Sequence, residues 1–112
     1  MGILADLLVQ RFGVKTHFVE SAPGMQVTAV SGPIALNNPD RLGLIFINLS
    51  GNPIYIRPSA GAAVNAGIVL AANGGWCSFE WDTDWELVSM LWHGVAPAGA
   101  SNIYVLELIG VK

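Results

Sequence analysis

The side chains able to do covalent or metal chemistry are few: Cys77, His17, His93 and the carboxylates of Glu80, Asp82, Asp84 and Glu86. A nucleophilic Cys–His pair needs a thiol beside an imidazole held in place by a third group. One cysteine and two histidines meet the first condition by chance in many small proteins. Cys77, between Trp76 and Ser78 in a strand pattern, reads as a buried inert thiol. Zinc wants four ligands at recognisable spacing, and no such set is present. The acids recur at every second position of FEWDTDWEL, so on an extended chain they share one face, with Trp81 and Trp85 on the other. Clustered carboxylates hold calcium, but the run lacks the central glycine and spacing of an EF-hand loop. It reads instead as a solvated turn with Asp82-Thr83-Asp84 at its tip. The expectation is a protein that is no enzyme and needs no cofactor or metal.

Trp76, Trp81, Trp85 and Trp92 crowd into one short stretch. Tryptophan fills cores, anchors interfaces and stacks on sugars. In WELVSMLW both alternating faces are apolar, which predicts a strand over 85–92 that is internal or has its outer face covered by a subunit. Trp85 and Trp92 differ in parity, so one belongs to the core and the other to a contact surface. Trp92, beside His93-Gly94 at the strand end, is assigned to the contact.

These elements sit in a chain of 112 residues, long enough for one domain. Hydrophobic residues make up 53% and charged residues only 12%, about half the usual charged share. Five basic and eight acidic side chains cannot cover such a domain. The surplus predicts apolar surface hidden by association, in a homo-oligomer with a trimer as the expected form. The basic residues are scattered singly and the net charge is -3, which argues against nucleic acid. No apolar run reaches the roughly 18 residues that span a bilayer, and the start lacks the pattern of a signal peptide. No membrane partner is expected.

The first 13 residues are read as an N-terminal helix or arm. Ile3, Leu4, Leu7, Leu8 and Phe12 fall near one face at helical spacing and Gly13 suits its stop, so the segment is a lid on its own domain or an intersubunit arm with Leu4, Leu7 and Leu8 in the interface. Residues 14–112 are read as a single domain. After Gly13 the period changes to two, with strands predicted over 14–19, 25–30, 42–49, 54–56, 67–70, 76–81, 85–92 and 102–109. Pro-Gly, Asn-Pro and Gly-Gly clusters separate them. The apolar run LGLIFINL reads as a central strand buried on both faces. Short strands at this spacing predict an all-β fold, an antiparallel two-sheet β-sandwich of jelly-roll-like form.

One segment resembles a pattern common in small tailed-bacteriophage virion proteins. Arg41 opens a strand ending in Asn48, a turn through Gly51-Asn52-Pro53 follows, and the second strand carries Tyr55. Downstream come a small-residue loop, Gly67-Ile68-Val69-Leu70, a Gly74-Gly75 turn and a terminal strand through Tyr104-Val105-Leu106-Glu107. The similarity covers roughly residues 41 to 109, as a hairpin whose turn is held by Asn48 and Asn52 with Arg41 at its entrance. It implies a β-sandwich of a capsid or tail: a capsid decoration (cement) protein, a head-fibre or spike base, or a neck or tail component. The implied partners are further copies of itself and the major capsid protein or another virion protein. The implied location is the virion, assembled in the host cytoplasm. The rival reading is a carbohydrate-binding or host-recognition module using exposed tryptophans.

Overall fold

The computed structural model describes residues 15–59, 61–63 and 66–111. The expected N-terminal helix, with Leu4, Leu7 and Leu8, lies outside the described residues. Nine strands are formed: β1 (Lys15–Glu20), β2 (Gln26–Val27), β3 (Gly32–Ala35), β4 (Arg41–Asn48), β5 (Ile54–Pro58), β6 (Ile68–Leu70), β7 (Trp76–Glu80), β8 (Trp92–Val95) and β9 (Ser101–Val111). A helical turn, α1 (Trp81–Asp84), and a 3-10 segment, η1 (Trp85–Ser89), join β7 to β8.

The strands form two antiparallel sheets, one in the order β1-β9-β4-β7 with β2 also on β9, the other β3-β8-β5-β6. β1 and β2 are one strand interrupted by residues 21–25, since both pair with β9. With those two merged, the chain folds back on itself at the β5–β6 pair. Around that pair nest β4–β7, β3–β8 and β1–β9, each antiparallel. This nested wrapping is the jelly-roll form of the β-sandwich. The all-β, two-sheet fold expected from the turn spacing is therefore the fold observed.

Alternation along each strand sends one set of side chains between the sheets. Leu44, Phe46, Phe79, Ile103 and Val105 come from the first sheet, and Ile34, Ile54, Ile56, Leu70 and Trp92 from the second. Trp92 is 1% exposed, and its ring packs on Phe79 at 4.6 Å and Phe46 at 5.4 Å between centroids. Gly67, just before β6, has φ +127°, and a Cβ there would run into the Ile56 carbonyl oxygen. Only glycine fits that approach.

Three expectations are corrected. The run 85–92 is not one strand, because residues 81–89 are helical and only Trp92 begins β8. Trp81, Trp85 and Val88 are spaced i, i+4, i+7, a helical period that the two-sided apolar alternation disguised. Within η1 Val88 is buried, Ser89 Oγ donates to the Glu86 carbonyl at 3.0 Å, and Trp92 Nε1 donates to the Leu87 carbonyl at 3.0 Å. Second, 25–30 contains only the two-residue β2, and Gly32–Ala35, where no strand was expected, forms β3. Third, β4 and β5 are not a hairpin, since they lie in different sheets.

Candidate docking face

Three of the residues singled out in the sequence, Arg41, Asn48 and Asn52, form two polar hubs at the ends of β4. Arg41 is 2% exposed. A register shift between Arg41 and Gly43 marks a bulge at this end of the strand. Its Nε donates to Glu107 Oε1 at 2.7 Å, and its Nη2 also pairs with that carboxylate. Nη1 donates to the carbonyls of Val88 at 3.2 Å and Met90 at 3.1 Å, and Nη2 to that of Leu36. One guanidinium thus ties β9, η1 and the loop after β3 together, using a fork of donors that lysine lacks.

At the other end, Asn48 is fully buried. Its Nδ2 donates to the carbonyls of Asn52 at 2.7 Å and Leu70 at 3.0 Å. Its Oδ1 accepts from Ser50 N at 2.9 Å and Ser50 Oγ at 2.7 Å. Asn52 adds a 3.4 Å contact from Nδ2 to Ser101 Oγ. The hub therefore shapes a corner by which the chain leaves one sheet for the other. Tyr55 takes no part in it, and lies mid-β5 opposite Val69 and Val95. Asn48→Asp keeps the shape but removes both donors and sets a carboxylate against two carbonyls. It should lower stability by about 2–3 kcal/mol, since a buried polar group left unsatisfied costs that order. A urea midpoint equal to wild type would refute this role.

The thiol and imidazoles are kept apart. Cys77 pairs with Phe46 on the inner side of the first sheet, whereas His93 follows inward-facing Trp92 and so faces away from the core on the second. His17 is on β1, across the first sheet from β7. Burial pushes the Cys77 thiol up to about 11 from 9.0. Only the thiolate reacts, so at pH 8 alkylation of the folded protein should be roughly 100-fold slower than of the urea-unfolded chain. Equal rates would show the thiol to be exposed. Among the described residues no group of three or more His, Cys, Asp and Glu is placed to hold a metal ion. The acidic run does not share one extended face, because it turns into α1, where Asp84 Oδ2 accepts the Glu80 N–H at 2.8 Å and the Thr83 hydroxyl at 3.2 Å.

What the sequence reading missed is the outer face of the first sheet. β4 is central, as expected, but besides Arg41 only Leu44, Phe46 and Asn48 of it are buried. Ile45 and Ile47 are half-buried and point outward. Beside them on that face lie Leu106, Leu108 and Tyr104 of β9, Phe18 of β1 and Trp76 of β7. Phe18 is 65% exposed and Trp76 67%. A trough of about 670 Å³ crosses this face, with Phe18, Leu42, Ile45, Leu106 and Leu108 in its lining. Glu80, Trp81 and Asp82 also line it, and no lysine or arginine does among the described residues. Burial, then the charge and hydrogen bond of neighbouring Glu20, pushes the Tyr104 phenol up from its usual value. The signal in the sequence was LGLIFINL itself, whose outward parity is as apolar as its inward one. Side-chain placement at Trp85 lies outside what is described, and Trp92, buried in the core, is not a surface residue. None of the described helices is long and apolar enough to cross a membrane. No protein-family model matches this chain, and no curated protein matches it.

Proposed function

We propose that this chain is a non-catalytic structural protein of a tailed-bacteriophage particle, a capsid-decorating module that docks as a homo-oligomer on the assembled head. The observation that carries the docking is the apolar outer face of the β1-β9-β4-β7 sheet. Its side chains are Phe18, Ile45, Ile47, Leu106, Leu108 and Trp76, on a molecule with little charge elsewhere. Contiguous apolar surface of this kind marks association sites. Repeated copies on a lattice reach firm attachment through many weak contacts. The virion assignment rests on the strand-and-turn resemblance over residues 41 to 109. The partner on the head is the major capsid protein or another virion protein.

The experiment is quantitative mass spectrometry of purified particles from a phage encoding the chain, which should find many copies per head. Ile45→Asp with Leu106→Asp should abolish attachment while leaving the melting temperature of the free protein within a few degrees of wild type. Absence from the particle would overturn the assignment. The exposed Trp76 and Trp81 favour a second reading, a glycan-binding module. Quenching of tryptophan fluorescence by soluble oligosaccharides, lost in Trp76→Ala or Trp81→Ala, would establish it in place of the first.

A further inference from the structure

β1 is the longest regular free edge among the described strands. Its six residues run in unbroken register against β9, from Lys15 opposite Val111 to Glu20 opposite Leu106. β9 is its only described strand partner. Both faces are open to solvent, since His17, Phe18, Val19 and Glu20 are all exposed. Natural sheets blunt such edges with proline, bulges or very short strands. Two other edges are treated that way, β3 with Pro33 and a register shift and β6 with only three residues, and on the five-residue β7 the terminal Glu80 N–H is taken by Asp84. β1 has no proline, bulge or such shortening, and its charged residues, Lys15 and Glu20, stand at its two ends.

The direction of its backbone groups follows from one bond. Ser21 N–H donates to the Val105 carbonyl at 2.8 Å. Groups alternate sides along an antiparallel strand, so residues 15, 17 and 19 also turn toward β9. Thr16, Phe18 and Glu20 present their N–H and C=O outward. These three are self-complementary. In an antiparallel pair about a two-fold axis at Phe18, Phe18 faces its own copy and Thr16 faces the other copy's Glu20. Each pair exchanges both its hydrogen bonds. The Thr16 hydroxyl then meets a carboxylate, and two exposed Phe18 rings meet across the axis on one face.

We propose that two copies of this chain join edge to edge through β1, in a two-fold pair centred on Phe18. This extends the four strands across each first sheet into one continuous eight-stranded sheet. The occupant of the edge is a second copy and the symmetry is two-fold, in place of the trimer expected from composition. Phe18 and Thr16 also line the trough, so the two docking faces become neighbours on one surface. The inference deepens the self-association proposed above and depends on it.

The test uses the full chain. Light scattering at micromolar concentration should give twice the 11.8 kDa chain mass. Phe18→Lys sets like charges across the axis, and Thr16→Pro removes one outward N–H without touching the β9 ladder. Each should return the mass to that of a single chain with an unchanged β-type circular dichroism spectrum. In a Cys77→Ala background, Phe18→Cys should cross-link under mild oxidation, because opposed residues of such a pair lie about 5.5 Å apart, within disulfide range. Val19→Cys faces the other copy's His17 and should not cross-link. The cross-link decides the matter even if the lysine or proline variant folds poorly. A monomeric wild type would remove both this inference and the self-association. An oligomer unaffected by these substitutions, or a trimer, would overturn the β1 pairing and leave self-association through another face.

Discussion

Arg41→Ala is expected to be among the most damaging single substitutions in the protein, lowering the unfolding free energy by about 3–5 kcal/mol, the range for breaking a buried ion pair from one side. The reason is the number of groups left behind. Glu107 would lose its counter-charge, and the carbonyls of Leu36, Val88 and Met90 would lose their donor. Arg41→Lys should recover only a minor part, because an ammonium cannot span three carbonyls and a carboxylate with a planar fork. Glu107→Gln should cost less than Arg41→Ala. The Glu107 side chain is 20% exposed against 1% for Arg41, and Arg41 would keep its carbonyls. The double substitution Arg41→Met with Glu107→Leu should be less harmful than the sum of the single changes, since it strands no charge. Urea denaturation of these variants, with Arg41→Met and Glu107→Leu also made singly to complete the cycle, measures all of this. An Arg41→Ala midpoint within experimental error of wild type would remove Arg41 from the centre of the fold.

Trp92→Ala should produce a loss of similar size, about 3–5 kcal/mol, as for other large aromatic truncations in cores. The cavity would open between Phe46 and Phe79, and the Leu87 carbonyl would lose the indole N–H. Domains of this kind are stable by about 5–15 kcal/mol in all, so the variant should melt far lower or fail to fold. Trp92→Phe, which keeps most of the packing and loses the hydrogen bond, should be milder. The measurement also separates the buried position from the surface role that strand parity had assigned. A surface tryptophan would leave the melting temperature unchanged and weaken only association, and that result would contradict the packing described.

β4 and its neighbours show how far local information reached. Period-two alternation, the Asn-Pro and Gly-Gly turn clusters and the spacing of apolar runs depend on residues near one another in sequence. They were enough for the all-β sandwich and for β1, β4, β5, β6, β7 and β9 to within a few residues. They failed at 85–92, where apolar residues on both parities fit a strand and a helix equally. The helical choice there depends on Val88 reaching the core and on Arg41 taking the carbonyls of Val88 and Met90, both non-local.

The sequence by itself determined that Arg41, Asn48 and Asn52 belong to strand ends and a turn, and that charged side chains are scarce. What each residue touches was decided by the tertiary structure. Asn48 lies at a corner between sheets because β5 pairs with β8 and not with β4, a choice made by strands nearly forty residues downstream. The outer face of β4 was likewise beyond local reading, because a continuous apolar strand fits burial on both sides as well as burial on one. Only the sheet order, which places no described strand layer over Ile45 and Ile47, leaves those side chains half-buried on an outer face.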